Sequence, residues 1–194
     1  MDPRNDLNRK AYRWTWELLE PEERTDLMHP NHISNFFQTW EFLVDRAREA
    51  ATKYSRSYRR FSVGCSILAY RTGLFEKTGL WAPWYKVFTG ANIKLDPGSA
   101  GANIHAEEIA IGAAIQEDYD LIVALVLAGE TQEDHVSGLT MPTLHPCGRC
   151  RALLEMLPEV KPDTIIMSVG LEGEECEILT FEEVLIRHSH CCEK

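Results

Sequence analysis

The order of apolar and polar residues along the chain predicts alternating helices and strands. Apolar residues recur every three to four positions over 33–54, which is typical of an amphipathic helix. A short run rich in β-branched residues, 61–69, predicts a strand, and a second such run, 86–93, follows at hairpin distance. Residues 104–117 predict a helix with small residues on its buried side.

The second half of the chain continues this alternation. Residues 121–129 form an unbroken apolar run, which is typical of a central strand covered on both faces. A short helix is predicted to end near residue 157, strands are predicted at 164–169 and 176–179, and Thr180 with Glu183 has the form of a capping box that opens a last helix. The alternation predicts an α/β protein whose sheet is covered by helices on both faces.

Residues 1–32 are predicted to form an N-terminal helical extension, and residues 33–194 the main domain. Trp14 and Trp16 are large apolar groups on this extension, so we expect it to pack on the domain or on a partner subunit. The insertion between the first two predicted strands is rich in aromatic residues, with Trp81, Trp84 and Tyr85 near its end. It could serve as a substrate lid, as an oligomer contact or simply pack onto the body, and the sequence leaves these alternatives open.

Composition narrows the class of protein. With 194 residues, 44% hydrophobic and 26% charged, the chain suits one α/β domain with an additional segment. No apolar run is long enough to cross a membrane, and the first ten residues lack the apolar core of a secretory signal, so a cytoplasmic location is expected.

The charge bears on partners. The net charge is −10, with 20 basic against 30 acidic residues, which disfavours long nucleic acid as a substrate. Arg56, Arg59 and Arg60 cluster locally; they could contact a phosphate group, or belong to a solvated face or a subunit contact.

Two short motifs carry the candidate chemistry. His105-Ala106-Glu107 stands at the start of one predicted helix, and Pro146-Cys147-Gly-Arg-Cys150 at the start of another. A predicted helix, a strand and a loop separate them, so both helix starts can lie side by side at one end of the sheet. In a cytosolic chain, a Cys-x-x-Cys pair is typical of metal binding or redox chemistry.

Zinc suits these residues. Two thiolates and one imidazole supply three ligands of a tetrahedral site and leave the fourth position to water, as in catalytic zinc sites. A helix N-terminus favours thiolates, and bound zinc lowers the pKa of water from about 15.7 to about 7. Glu107 follows His105 by two positions and points in a different direction from the helix, so it is placed to move protons rather than to bind the metal.

Other interpretations of the same residues remain. The cysteine pair could be redox-active, or belong to a structural zinc site with His145 as the fourth ligand. A second group, His188, His190, Cys191 and Cys192, could bind metal or form an exposed tail. The order His-x-Glu and then Pro-Cys-x-x-Cys favours a catalytic site, because that combination is the signature of zinc-dependent nucleobase deaminases.

Over roughly residues 33–190 the sequence resembles the cytidine deaminase family. The resemblance rests on four segments: Tyr58-Arg-Arg-Phe61-Ser-Val63-Gly64, Thr89-Gly90-x-Asn92, His105-Ala106-Glu107 and Pro146-Cys147-Gly148-x-Cys150-Arg151. It implies a three-layer fold with a mixed sheet of about five strands and one Zn²⁺ per chain, held by His105, Cys147 and Cys150. It also implies hydrolytic loss of ammonia from a cytosine-type ring, with Glu107 as the catalytic residue, and a homodimer or homotetramer.

The resemblance also implies substrate contacts. Phe61 would line the base pocket, Asn92 would bind a ribose hydroxyl, and the backbone around Ala106 and Cys147 would contact the pyrimidine. The family usually has Glu two residues after this Asn, whereas this chain has Lys94, which can only donate hydrogen bonds. We hypothesise that the sugar end of the substrate is modified, or is anionic and meets Lys94; alternatively Lys94 turns away and the loop 95–103 supplies a replacement.

The substrate therefore stays open at this point. A cytosine-type nucleoside, a nucleoside antibiotic such as the blasticidin S deaminases act on, and a free aminated heterocycle all suit the motifs. A non-catalytic, zinc-stabilised binding protein is the alternative from a different class. Glu107 argues against that alternative, since a structural zinc site needs no proton carrier.

Overall fold

A computed structural model describes residues 30–58, 60–71, 85–95, 103–130, 143–173 and 175–189, with side chains from Trp40 to His188. Its helices are α1 (Pro30–Glu49), which continues as a π-helical turn over Ala50–Tyr54, α2 (Ala106–Gln116), α3 (Gly148–Met156) and α4 (Phe181–Ser189). Its strands are β1 (Arg56–Ser57), β2 (Val63–Tyr70), β3 (Tyr85–Ala91), β4 (Ile93–Lys94), β5 (Leu121–Gly129), β6 (Val160–Val169) and β7 (Cys176–Thr180).

The main sheet has five strands in the order β3-β2-β5-β6-β7. Strands β5 and β6 are parallel, and every other neighbouring pair in this sheet is antiparallel. Helix α3 lies between β5 and β6 in the chain and supplies the crossover that parallel neighbours require. A separate two-stranded parallel sheet pairs β1 with β4.

The two faces of β2 show which helices cover which side of the sheet. On one face, the Ser66 hydroxyl donates to the carbonyl of Leu43 in α1 at 2.6 Å. The other face joins a core shared with α2, α3 and α4, whose members include Cys65, Ile67, Ala110, Leu154 and Val184. The three layers and the mixed five-stranded sheet confirm the predicted α/β architecture.

The second predicted strand, 86–93, is wrong in its last residues. The strand ends at Ala91, and Ile93–Lys94 belongs to the small sheet instead. The break falls at Asn92, whose side-chain oxygen, in place of its backbone carbonyl, accepts the backbone N–H of Val63 at 2.9 Å. The Asn92 carbonyl instead accepts the backbone N–H of Arg56 at 2.9 Å, so the chain passes from the main sheet to the small one.

The remaining boundaries agree closely with the sequence, although β6 begins at Val160 rather than at residue 164. The predicted capping box of α4 is confirmed: the amide of Thr180 donates to the Glu183 carboxylate at 2.7 Å, and the amide of Glu183 donates to the Thr180 hydroxyl at 3.2 Å.

By internal contacts the chain divides into two units, Met1–Phe42 and Leu43–Lys194. Residues 1–29 lie outside the described residues, so the extension at 1–32 with Trp14 and Trp16 stays a prediction. Trp81 and Trp84 of the aromatic insertion also lie outside them. Among the described helices, none combines the length and the apolar character needed to cross a membrane.

Gly90 lets helix α2 lie directly on strand β3. A Cβ atom at Gly90 would lie 2.1 Å from the carbonyl oxygen of Ala106 and 2.8 Å from the amide nitrogen of Ala110, both in the α2 backbone. Real Cβ atoms do not approach backbone so closely, so either the strand or the helix would have to move.

We therefore expect Gly90→Ala to lower the free energy of unfolding by about 2 kcal/mol or more. Gly112→Ala is the matched control, because Gly112 lies within α2 and an added Cβ would meet nothing within 4 Å. It should instead raise the stability by about 0.5–1 kcal/mol through helix propensity. Urea unfolding of both variants measures the difference, and equal stabilities would contradict the close approach.

Candidate metal centre

The starts of α2 and α3 bring three metal-binding side chains together. His105 is the residue that caps α2, Cys147 caps α3, and Cys150 lies in the first turn of α3. His105 Nδ1 lies 3.4 Å from Cys147 Sγ and 3.2 Å from Cys150 Sγ, and the two sulfur atoms are 3.6 Å apart. The two sequence motifs predict these same three residues as metal ligands. Within the described residues they form the cluster able to hold a metal ion.

The spacing of the three donor atoms fits zinc. Tetrahedral zinc with ordinary bond lengths sets its sulfur ligands about 3.8 Å apart and a sulfur and a nitrogen ligand about 3.6 Å apart. The observed separations fall within about 0.4 Å of these values without any rearrangement of the helices. The cluster is therefore consistent with one Zn²⁺, and thiolate with imidazole is a donor set that zinc prefers.

The electrostatics of the cluster favour a thiolate at Cys147. The hydrogen bond between the two sulfur atoms and the bond with His105 together lower the pKa of Cys147 to about 3, against the opposing effect of burial. The same sulfur–sulfur bond, together with burial, raises the pKa of Cys150. The bond to Cys147 also raises the pKa of His105. Negative charge is thus already stabilised where a metal cation would bind.

Glu108 and Arg149 fasten the two helix starts to each other. The Glu108 carboxylate accepts the backbone N–H of His105 at 2.8 Å and pairs with the Arg149 guanidinium at 2.8 Å. Arg149 also donates to the carbonyl of Asn103 at 3.3 Å. Because Arg149 lies between the two cysteines on α3, this bridge joins the residue that caps α2 to the turn that carries both sulfur atoms.

His145 does not belong to the metal cluster. One ring nitrogen lies 2.7 Å from the Glu177 carboxylate and the other lies 3.1 Å from Nε2 of His188. Glu177 also accepts hydrogen bonds from Thr143, at 2.9 Å, and from Arg187. Both nitrogens of His145 are therefore engaged, which argues against His145 as a fourth ligand and leaves the metal with three ligands from the described residues.

This network also sets the charge of Glu177. Burial alone would raise the pKa of its carboxyl, but the hydrogen bonds from His145, Arg187 and Thr143 lower it to about 2. The carboxylate stays ionised at every pH at which the protein is expected to work, so it holds His145 firmly beside the cluster.

An open cavity of about 70 Å³ borders the cluster. Its lining includes His105, Ala106, Glu107 and Cys147 from the starts of α2 and α3, and Phe61, Asn92 and Lys94 from the strand region. Seven of the eight predicted site residues line this cavity, and the eighth, Cys150, belongs to the metal cluster. Their individual roles stay predictions.

Glu107 is the acidic side chain of this cavity wall. It is only 4% exposed, and burial raises the pKa of its carboxyl, while hydrogen bonds from its own backbone and from Cys150 act in the opposite direction. A buried carboxyl that can gain or lose a proton near a metal site is suited to acid–base chemistry.

Comparison with known proteins identifies the family. Residues 38–168 match the family model of the cytidine and deoxycytidylate deaminase zinc-binding region, which is more than half of the chain, so the protein belongs to this family. The resemblance stated from the four motifs is thereby confirmed. No curated protein sequence matches the chain.

Solved structures agree on the fold. A cytidine deaminase from Burkholderia pseudomallei is 22% identical with a TM-score of 0.54, and the match covers 74% of this chain and 94% of that one. A cytidine deaminase from Mycobacterium tuberculosis is 23% identical with a TM-score of 0.50, covering 75% of this chain and 93% of that one. At these identities the likeness establishes a shared fold.

Three residues around the site, Glu108, Arg149 and Glu177, are not among those predicted from the sequence. Glu108, three residues after His105, carries the spacing of a capping box and could have been found from that signal. Arg149, and the pairing of His145 with Glu177, depend on which loops meet in space, and no local pattern marks them. Of the other residues considered, Arg59, His190, Cys191 and Cys192 lie outside the described residues.

We expect Glu108→Ala to weaken zinc binding by about tenfold or more, because the variant loses both the anchor of the His105 backbone and the pair with Arg149. Glu155→Ala, at an exposed position of α3, is the matched control and should leave zinc affinity unchanged. Competition with a chromophoric chelator measures the affinity, with circular dichroism as the check on folding. Equal affinities in a folded Glu108 variant would contradict this role.

Proposed function

We propose that the protein hydrolyses the amino group of a cytosine-type nucleoside, giving the uracil form and ammonia, with one Zn²⁺ per chain. The observation that carries the proposal is the position of Glu107. Its buried carboxyl lines the same cavity as His105 and Cys147. A structural zinc site needs no such carboxyl at an open cavity, whereas hydrolytic deamination requires a group that moves protons.

His105, Cys147 and Cys150 hold the metal in this proposal. Bound zinc supplies the Lewis acidity that makes a water molecule nucleophilic near neutral pH. Glu107 takes a proton from the attacking water, delivers it to the ring nitrogen next to the reacting carbon, and assists departure of the amino group as ammonia. The water oxygen becomes the new carbonyl oxygen of the ring, so the atoms balance without a further reactant.

The other cavity residues orient the substrate. The aromatic ring of Phe61 offers an apolar surface to the flat base, and Ala106, with no exposed surface of its own, brings the backbone at the start of α2 close to the base. Asn92 can contribute one amide hydrogen to the sugar, since its remaining groups bond within the protein.

Glu107→Gln keeps the shape of the side chain and removes its ability to carry a proton. We expect the variant to bind zinc as wild type does and to lose deamination by at least about a hundredfold. Ammonia release from cytidine, deoxycytidine and amino-purine nucleosides measures activity, and elemental analysis measures zinc.

Glu117→Gln is the matched control, because Glu117 is exposed and follows the last residue of α2. This variant should retain full activity. If zinc-loaded wild type released no ammonia from any of these nucleosides, the non-catalytic, zinc-stabilised binding protein would become the better interpretation.

We also propose that the protein forms a homodimer or a homotetramer in which the metal sites lie near the contacts between subunits. Large apolar side chains are exposed in segments next to the cavity residues: Leu95 (73%) follows Lys94, and Ile104 (42%) precedes His105. Neighbouring apolar groups that are open to water are typical of surfaces that a partner covers.

We expect light scattering on the purified protein to give a mass of two or four chains, and Leu95→Asp to shift it toward one chain. A monomeric wild type at micromolar concentration would contradict this assembly.

A further inference from the structure

The cavity lining carries polar groups of opposite character. It includes the Glu107 carboxyl together with two of the metal-binding side chains, and it also includes Lys94, Asn92 and the ring of Phe61. The Lys94 ammonium lies 5.2 Å from the centre of the Phe61 ring, an ordinary cation–π distance. Lys94 is thus one of the residues that line the cavity, with its ammonium beside the Phe61 ring.

The hydrogen-bonding capacity of Asn92 is almost used up. Its side-chain oxygen accepts from the Ser55 hydroxyl at 2.6 Å and from the amide of Val63 at 2.9 Å, which occupies both lone pairs. Its amide nitrogen donates one hydrogen to the Phe61 carbonyl at 2.8 Å and keeps a second one. Asn92 can thus offer a ligand one donor and no acceptor.

Lys94 adds only donors and a positive charge to the cavity lining. Within the described part of the chain, no carboxylate lies within ion-pair distance of its ammonium. Lys86 makes a useful contrast, because its ammonium lies 4.9 Å from the centre of the Phe88 ring and also pairs with Glu117. The two lysines share the aromatic contact and differ in having a carboxylate partner.

We propose that Lys94 and Asn92, beside Phe61, form a subsite for an anionic group, a carboxylate or a phosphate, on the sugar side of the substrate. The inference rests on the proposed function, which places the base beside the metal. A sugar hydroxyl could accept from Lys94 and Asn92, but these two side chains offer no acceptor for its own hydrogen, whereas an anion accepts from both and neutralises the lysine. The preferred substrate is then an acidic nucleoside or a nucleotide rather than a neutral nucleoside.

Binding to a form that does not turn over tests the subsite directly. Zinc-loaded Glu107→Gln is titrated calorimetrically with cytidine, cytidine 5′-carboxylate, cytidine 3′-monophosphate and cytidine 5′-monophosphate. We expect at least one anionic compound to bind about tenfold or more tightly than cytidine, with the advantage shrinking as salt is raised. Tightest binding of cytidine 5′-carboxylate would indicate a subsite for a carboxylate, and tightest binding of a monophosphate would indicate a subsite for a phosphate.

Variants assign the advantage to Lys94. Each substitution is made in the Glu107→Gln protein. Lys94→Gln should abolish the tighter binding of the anionic compound, and Lys94→Arg should keep most of it because the charge remains. The matched control, Lys86→Gln, should keep all of it. Zinc content and circular dichroism show that each variant is folded. An advantage that survives Lys94→Gln overturns the subsite.

The two proposals fail in different ways. If cytidine binds as tightly as every anionic compound and wild type deaminates it, the subsite is wrong and the proposed function stands. If none of the four compounds binds, cytidine included, the proposed function fails and the subsite fails with it.

Discussion

The meeting of two helix starts is the constraint on which the site depends. His105 and Cys147 each cap a helix, and Cys150 lies one turn into the second helix, so the relative position of α2 and α3 alone sets the donor distances of 3.2–3.6 Å. A shift of either helix by about 1 Å would take the donors away from tetrahedral spacing. The sheet and its contacts maintain that position.

Two features keep the helices in place. Gly90 has no side chain between β3 and the backbone of α2, so the helix rests on the sheet itself. Glu108 and Arg149 then join the first turns of the two helices across the remaining gap. Packing places the start of α2 on the sheet, and the ion pair links it to the turn that carries the sulfur atoms. The cavity depends on both, because residues at the start of α2 belong to its lining.

The metal cluster could be predicted from sequence because local patterns encode it. His-x-Glu and Pro-Cys-x-x-Cys at predicted helix starts name the three ligands, and the alternation of apolar runs predicts the layers that bring them together. The break at Asn92 could not be predicted, because a strand-like run gives no sign that a side-chain amide will replace ladder bonds. The network of His145, Glu177 and His188 likewise joins residues far apart in sequence, and only the folded chain shows that His145 is engaged elsewhere.

The central claim is that the chain supplies three zinc ligands, two sulfur and one nitrogen, and leaves one position open for chemistry. X-ray absorption at the zinc edge of the zinc-loaded protein tests it most directly. We predict two sulfur atoms at about 2.3 Å and a single imidazole nitrogen at about 2.0–2.1 Å, with a spectrum that is unchanged in His145→Ala. A spectrum that requires two imidazoles, with one lost in His145→Ala, would show a closed structural site and contradict the account.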